Sequence, residues 1–298
     1  MTRFATGLIA WQRRAGRRDL PWQNTRDPYR IWLSEVMLQQ TQVATVIPYF
    51  ERFIAAFPDV ASLAAAPVER VLEQWSGLGY YRRAHMLHRA AQAIVAEHDG
   101  IFPCEAAAIA ALPGIGRSTA AAIAAFAFGA RGAILDGNVK RVLARHAGID
   151  GSPSDPAVER ALWARAEALL PARDIETYTQ ALMDLGAAVC LRTRPRCDVC
   201  PIAADCVARR EHRIAELPGR RAKKKRCRSV QPLCCCSNGT AKCCWSAGRT
   251  SASGRVCGAC RSSSQAPTRL RIAARALLPM LCPAPRCRRS STASPTSG

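Results

Sequence analysis

The chain has 298 residues, 15 cysteines and a formal net charge of +21. That charge is unevenly placed, because residues 219–298 hold 17 of the 43 basic residues and none of the 22 acidic ones. Residues 1–218 therefore have a net charge of only +4, which excludes overall charge as the basis of any nucleic-acid binding there and requires local basic clusters instead.

Residues 1–218 are predicted to be all-α. Ala and Leu recur at spacings of three and four, Gly and Pro fall between segments, and alternating strand patterns are scarce. No apolar run approaches the roughly 20 residues of a membrane span, and no signal pattern opens the sequence. We expect a soluble cytoplasmic protein without a membrane partner, in a reducing compartment where grouped cysteines bind metal more often than they form disulfides.

The first motif is Leu20-Pro-Trp22, in which a tryptophan follows a proline. Tryptophans in such places most often belong to a core or a corner. A helix is then predicted over Ser34–Tyr49, with Glu35 among apolar neighbours. Burial there would raise the pKa of its carboxyl and keep it a proton donor near neutral pH. The alternative is a solvated first-turn glutamate that interacts with the helix dipole.

Tyr80 and Tyr81 are followed by several basic residues. Aromatic side chains interleaved with basic ones suit an edge that meets DNA, although adjacent tyrosines as often contribute one side chain to the core and one to the surface. This stretch is a candidate nucleic-acid contact.

A tight turn is predicted at Leu112–Gly116, where Pro113, Gly114 and Gly116 punctuate the sequence. Ser118 then opens an alanine-rich helix that Gly129 ends. Such a turn presents bare backbone N–H groups and a positive dipole end, which suits a phosphate. An ordinary helix–turn–helix corner is the alternative.

Four cysteines close the region: Cys190, Cys197, Cys200 and Cys206 are separated by six, two and five residues. Four thiolates so close in sequence can surround one soft metal centre. Spacing alone does not separate an iron–sulfur cluster from zinc.

Together, Leu33–Val43, Leu112–Thr119 and the cysteine spacing resemble the helix-hairpin-helix DNA glycosylase superfamily, which includes endonuclease III and the MutY-type adenine glycosylases. The resemblance to the MutY type runs from about Trp11 to Pro218. It implies two helical lobes flanking an active-site cleft, a C-terminal loop holding a [4Fe-4S] cluster, and removal of adenine mispaired with 8-oxoguanine or guanine in double-stranded DNA. We also expect a monomer.

The same resemblance implies a role for each matched residue. Glu35 would be the catalytic acid that protonates the flipped base, and Asp136 would stabilise the positive charge that develops on the sugar. Gln40 and Thr41 would wedge into the duplex, and Tyr80 would stack beside 8-oxoguanine. The adenine pocket would consist of Leu20, Trp22, Leu38, Val43 and Gln180. Further DNA contacts would come from Gly114, Gly116, Ser118, Asn138 and Lys140.

Ser118 occupies the place where endonuclease III-type enzymes carry a lysine nucleophile, and a serine forms no imine with the sugar. The resemblance therefore implies a monofunctional glycosylase. Lys140, one turn beyond Asp136, is expected to be a phosphate contact or a solvated charge rather than a catalytic group. The alternatives are an endonuclease III-like glycosylase/lyase acting on oxidised pyrimidines and a non-catalytic DNA-binding truncation product.

The resemblance stops after Pro218, where the family would continue into a Nudix-like domain that recognises 8-oxoguanine. Residues 219–298 instead form a basic tail rich in Cys, Arg and Ser, which we expect to be disordered. It is either a metal-binding or nucleic-acid-binding tail or, in the interpretation we prefer, the product of a reading-frame error near Cys227.

Overall fold

The computed structural model of the protein describes residues 1–219, and these form twelve α-helices with no β-strand among them. The prediction of an all-α fold is confirmed. The helices are α1 (Arg3–Ala15), α2 (Pro28–Leu38), α3 (Val43–Ala56), α4 (Val60–Ala65), α5 (Val68–Trp75), α6 (Arg82–Glu97), α7 (Ala106–Ala111), α8 (Arg117–Phe128), α9 (Gly137–Ala147), α10 (Pro156–Leu169), α11 (Ile175–Asp184) and α12 (Val207–Arg210). A π-helical turn, Leu185–Val189, follows α11 directly.

Two hydrophobic cores divide the described residues into two lobes. The first core is aromatic and draws on α2 to α7, with Trp32, Phe53 and Trp75 fully buried at its centre. The second core draws on α1, α9, α10 and α11, with Leu8, Leu143 and Leu162 fully buried. Each lobe therefore buries an apolar surface of its own.

Helix α8 belongs to both lobes. Ile123 and Ala124 pack into the first core, Ala121 and Ala122 pack into the second, and Phe126 contacts both. Alanine suits a helix that is buried on nearly every side, because its short side chain lets neighbouring helices approach closely. The helix ends at Gly129, whose φ of +66° is the left-handed C-cap conformation predicted from the sequence.

Several helices begin at an aspartate that caps them. Asp27 accepts a hydrogen bond from the backbone N–H of Tyr29 at 2.9 Å, and Asp155 accepts one from Ala157 at 2.9 Å. In both helices the next residue is a proline, which needs no hydrogen-bond partner in the first turn. Asp136 caps α9 in the same way.

The prediction of one helix over Ser34–Tyr49 is wrong. The structure ends α2 at Leu38 and starts α3 at Val43, with a turn between them in which Gln40 has a φ of +61°. The physical reason lies far away in sequence: Arg83 donates hydrogen bonds to three carbonyls at the end of α2 and so satisfies them without a further helical turn.

The predicted basic tail, residues 219–298, lies outside the described residues apart from Gly219. The domain boundary after Pro218 therefore stays a prediction. Among the described helices, none is both long enough and apolar enough to span a membrane.

Candidate active site and cysteine loop

A cleft of about 1350 Å³ lies between the two lobes. Its walls come from the loop after α1, the α2–α3 turn, and the beginnings of α8 and α9, together with one face of α11. Most of the residues predicted to act on DNA line it: Leu20, Trp22, Glu35, Leu38, Gln40, Thr41, Val43, Ser118, Asp136, Asn138 and Gln180.

Glu35 and Asp136 face this cleft from opposite lobes. Glu35 lies on α2, between the buried residues Ser34 and Val36. Burial raises the pKa of the Glu35 carboxyl to about 8, and the negative charge of Asp136 raises it further in the same direction. Glu35 therefore holds a proton at neutral pH, and no described residue hydrogen-bonds to its side chain.

Asp136 differs from Glu35 in the hydrogen bonds that it receives. Its Oδ1 accepts the backbone N–H of Val139 at 2.8 Å, and burial raises the pKa of Asp136 while the N–H groups of Val139 and Asn138 and the charge of Arg141 oppose that rise. These groups favour the ionised carboxylate. The cleft thus joins one carboxyl group that receives no hydrogen bond from the described residues to another that is held by N–H donors.

Asp136 is fixed by the residues that follow it. Arg141 donates to the side-chain oxygen of Asn138 at 2.9 Å and to the carbonyl of Gly186 at 2.7 Å. Its Nε donates to the carbonyl of Cys190 at 2.8 Å. The start of α9 is therefore tied to the π-helical turn and to the start of the cysteine loop.

Ser118 lies in the first turn of α8 and ties the hairpin to the segment that carries Asp136. Its Oγ accepts the backbone N–H of Leu135 at 2.8 Å. The position at which a lyase would need an amine therefore holds a hydroxyl that makes a structural hydrogen bond. The predicted hairpin itself is present as α7, the turn at Leu112–Gly116, and α8.

Two glycines of the hairpin differ in backbone conformation and in the space available for a side chain. Gly114 has a φ of +78°, and a Cβ there would lie 2.5 Å from Cβ of Met86. Both the left-handed backbone and the lack of space therefore exclude a side chain. Gly116 caps α8 with a φ of −92°, and a Cβ there would meet nothing within 4 Å. Neither glycine lines the cleft; the open space beside Gly116 lies at the N-terminus of α8.

Arg83 holds the α2–α3 turn, where Gln40 and Thr41 lie. Its Nη1 donates to the carbonyls of Val36, Met37 and Gln39 at 2.9, 2.8 and 2.6 Å. Its Nη2 donates to Oγ1 of Thr41 at 3.1 Å.

The same guanidinium also supports Tyr80, which lies outside the cleft lining. It donates to the carbonyl of Gly79 at 3.3 Å and stacks 5.3 Å from the centre of the Tyr80 ring. Tyr80 has a φ of +51° and is 58% exposed, so a large aromatic side chain is presented to solvent from a strained backbone. One partly buried guanidinium thus contacts both the α2–α3 turn and the segment of Tyr80.

The wall of the predicted adenine pocket includes Trp22 and Leu20. Trp22 is buried and packs edge-on against Phe50 at 5.2 Å, so it serves the first core as well as the cleft wall. Trp22 is therefore a core residue that also lines the cleft.

Gln180 faces the cleft from α11. Its Nε2 donates to Oδ1 of Asp184 at 2.9 Å, one helical turn later. Asp184 is almost fully buried. The sequence contains a signal for this pair, because Gln and Asp four residues apart on a helix are neighbours.

Lys140 points away from the cleft. Its Nζ donates to Oε1 of Glu159 at 2.6 Å, and it does not line the cavity. It is the one lysine among residues 1–219, so the described part of the chain brings no amine to the two acids.

The four cysteines of the loop line a second, small cavity against α9 and the π-helical turn. Burial raises the pKa of the Cys200 thiol to about 11, and the neighbouring cysteine thiols add to the rise. Four thiols that line one cavity have the donor chemistry of a thiolate-bound centre. No three His, Cys, Asp or Glu side chains within residues 1–219 converge closely enough to hold a single metal ion.

Arg145 is the buried support of this loop. It donates to the carbonyls of Leu217, Leu191 and Arg192 at 2.8, 2.7 and 3.1 Å, and its Nη1 lies 3.4 Å from Sγ of Cys190. The structural roles of Arg83, Arg141, Arg145 and Asp184 were not predicted from the sequence. Arg141 and Arg145, four residues apart on one helix face, could have been identified as a pair.

Residues 33–168 match the family described as the HhH-GPD superfamily base excision DNA repair protein. The chain is 42% identical over 221 residues to the adenine DNA glycosylase of Buchnera aphidicola subsp. Acyrthosiphon pisum, a match that covers 74% of this chain and 63% of the relative. It is 40% identical to the adenine DNA glycosylase of Mycolicibacterium smegmatis, over 70% of this chain and 74% of the relative. The human adenine DNA glycosylase is 43% identical over 70% of this chain and 40% of its own length.

The chain spans only about 63% of the length of the Buchnera protein that it matches. Among solved structures, a thermostable thymine-DNA glycosylase superposes with a TM-score of 0.63 at 28% identity, over 70% of this chain and 95% of that one. A non-covalent endonuclease III–DNA complex shares the fold, with a TM-score of 0.59 at 20% identity over 71% of this chain and 98% of that one. The chain therefore belongs to the HhH-GPD superfamily of base excision DNA repair proteins and, within it, to the adenine DNA glycosylase family.

Proposed function

We propose that the protein removes adenine from double-stranded DNA in which adenine is mispaired with 8-oxoguanine or guanine, and that it acts as a monomer. The observation that carries the proposal is the pair of unlike acids in one cleft: Glu35, whose pKa burial raises to about 8, and Asp136, which is held by backbone N–H groups. Such a pair suits hydrolysis of a glycosidic bond, because one group protonates the leaving base and the other stabilises the cationic sugar.

We propose the following chemical steps. The adenine leaves the base stack and enters the cleft against the apolar wall of Leu20 and Trp22, which replaces the lost stacking. Glu35 transfers its proton to the base, so that the base leaves as a neutral molecule. Asp136 then stabilises the positive charge on the sugar until water adds.

The backbone at the hairpin is proposed to bind a DNA phosphate. No side chain caps the N-terminus of α8, and the space beside Gly116 is open, so backbone N–H groups and the positive helix end are accessible there. Gln40 and Thr41 on the turn that Arg83 braces, together with Tyr80, are proposed to enter the duplex beside the mispair.

We expect the protein to leave an abasic site without cutting the strand. Ser118 offers no amine, and Lys140 is paired with Glu159 outside the cleft. An endonuclease III-like lyase would instead require an amine within reach of the sugar.

The four loop cysteines are proposed to hold a [4Fe-4S] cluster. The support is that all four line one cavity, with the backbone of the loop bound by Arg145. The cluster would hold this loop against the second half of α9, where Val142, Arg145 and His146 line the same cavity. Iron and acid-labile sulfide should be present in equal amounts; zinc without iron would contradict the assignment.

The proposal is tested by incubating the purified protein with a duplex that carries one A:8-oxoguanine pair. Free adenine and an abasic site are expected, with strand cleavage only after alkali. A strand-cleaved product trapped by borohydride would favour the lyase, and binding without base release would favour a non-catalytic DNA-binding protein.

A further inference from the structure

Asp184 is an almost fully buried carboxyl group that the proposed chemistry does not use. It receives five hydrogen bonds: three from Arg17, through the backbone N at 2.9 Å, Nε at 2.9 Å and Nη2 at 2.6 Å; one from Nε2 of Gln12 at 3.0 Å; and one from Nε2 of Gln180 at 2.9 Å. All five partners are N–H donors, and Arg17 adds a positive charge. Asp184 therefore acts only as an acceptor.

An acceptor-only partner determines which way the Gln180 amide faces. A glutamine amide carries a donor branch and an acceptor branch, and turning it over would place its oxygen against the Asp184 carboxylate. Nε2 is therefore directed at Asp184, while Oε1 accepts no hydrogen bond from any described residue. Because Gln180 lines the cleft, its free oxygen and its remaining N–H form the polar edge offered to a base there.

We propose that Asp184 fixes the orientation of the Gln180 amide, and that this makes the cleft select purines with an amino group at C6 over purines with a carbonyl there. An oxygen in a fixed position accepts from the amine of adenine but opposes the carbonyl of hypoxanthine or guanine at the same place. Asp184 is thus a positioning residue for substrate choice. The inference rests on the proposed base-releasing activity and names what determines its specificity.

The network has the features that such a role requires. Gln180 lies on the cleft surface, whereas Asp184 lies behind it, where Arg17 and Gln12 anchor it from the α1 side. An unanchored carboxylate one turn away would not hold the amide in one orientation, since its own side chain could rotate. Arg17 and Gln12 thus influence the base only through Asp184 and the Gln180 amide.

The test measures single-turnover base release from three duplexes that carry adenine, hypoxanthine or unsubstituted purine opposite 8-oxoguanine. Unsubstituted purine lacks the C6 amino group of adenine, so the ratio of the adenine rate to the purine rate isolates the Gln180 contact. In Asp184→Ala this ratio should fall about tenfold, within the range for an amide–adenine pair. The disadvantage of hypoxanthine relative to purine should shrink, because the freed amide can turn its nitrogen towards the base.

Four further variants separate positioning from stability. Gln180→Ala should lower the adenine-to-purine ratio as much as Asp184→Ala does, and the double variant should lower it no further. Asp184→Asn keeps an oxygen for Arg17 and Gln180, so it should retain most of the wild-type ratio. Arg13→Ala removes the ion pair with Asp174, at 2.8 Å, which lies at the other end of α11 from Asp184, and should leave the ratio unchanged.

Asp184→Ser carries the same test as Asp184→Ala if the alanine variant does not fold, since it leaves room for water beside Arg17. An Asp184 variant that slows all three bases equally, with the ratio unchanged, would overturn the inference and leave the glycosylase proposal intact. Failure of the wild-type protein to release any of the three bases would instead reject the proposed function itself.

Discussion

At the scale of single residues, Glu35 and Asp136 show how two carboxyl groups in one cleft acquire different properties. Among residues 1–219, no hydrogen-bond donor stabilises the charge of Glu35, whereas Asp136 caps a helix and receives N–H groups. Desolvation therefore keeps the proton on Glu35, and the nearby charge of Asp136 reinforces this. A residue's neighbours, rather than its type, decide which acid donates and which stabilises charge.

This difference predicts how stability depends on pH. The folded protein keeps the Glu35 proton up to a pKa of about 8, whereas the unfolded chain loses it near the ordinary value of 4.5. The folded state therefore binds more protons between these values, and the contribution of Glu35 to stability falls as the pH rises through that window. Chemical denaturation at pH 5 and pH 8 should show that Glu35→Gln gains on the order of 2 kcal/mol relative to wild type at the higher pH. A difference that does not change with pH would contradict the raised pKa.

At the scale of elements, the α2–α3 turn shows what local sequence does not specify. The stretch Ser34–Tyr49 has helical periodicity throughout, yet the helix breaks at Gln39–Gln42. The break is possible because Arg83, on α6, donates hydrogen bonds to the backbone carbonyls at the end of α2. The alanine-rich helix ending at Gly129 could be predicted, since its start and stop signals are local. The four-residue spacing of Gln180 and Asp184 could also be seen in the sequence. The burial of Asp184 could not, because it depends on the packing of α1 and the loop after it.

Arg83→Met should weaken the α2–α3 turn. The variant keeps an apolar stem but loses five hydrogen bonds, so the free energy of unfolding should fall by about 1–3 kcal/mol. Thermal melting measures the loss, and adenine release from an A:8-oxoguanine duplex should fall as well. Arg82→Met, at an exposed neighbouring position on the same helix, is the control and should melt like wild type. Equal melting temperatures for both variants would refute the bracing role.

The two hairpin glycines predict opposite outcomes for the same substitution. Gly114→Ala combines a left-handed backbone with a clash against Met86, so it should destabilise the protein by more than about 1 kcal/mol. Gly116→Ala has space and an ordinary φ, so it should fold normally but place a methyl group where a phosphate would approach. Melting curves and duplex binding at fixed salt distinguish the two. Normal duplex binding by Gly116→Ala would argue against a phosphate at the hairpin.

At the scale of the whole molecule, the two lobes meet on α8, and the cleft between them contains residues from both. The periodicity of residues 1–218 predicts that helices form, and the cysteine spacing predicts a loop with four thiols. Neither shows that one alanine-rich helix serves two cores, because that depends on which faces the other helices cover. Shared packing of this kind is expected to make the lobes unfold together.

Ala121→Leu tests this coupling. Ala121 is buried in the second core and lies so close to Gly132 that a Cβ on that glycine would be 3.1 Å from the Ala121 Cβ. Overpacking here should cost about 1–3 kcal/mol and lower the melting temperature by roughly 3–10 °C in one transition. Ala111→Leu, at an exposed position ending α7, should change little. Two separate transitions in Ala121→Leu would show that the lobes are independent.

The most direct test of the account is adenine release by Glu35→Gln under single-turnover conditions on a duplex with one A:8-oxoguanine pair. Glutamine keeps the shape of the side chain and removes the transferable proton, so duplex binding should persist while base release falls at least a hundredfold. Glu51→Gln, on the exposed surface of α3, should release adenine like wild type. Release at the wild-type rate by Glu35→Gln would contradict the assignment of Glu35 as the proton donor.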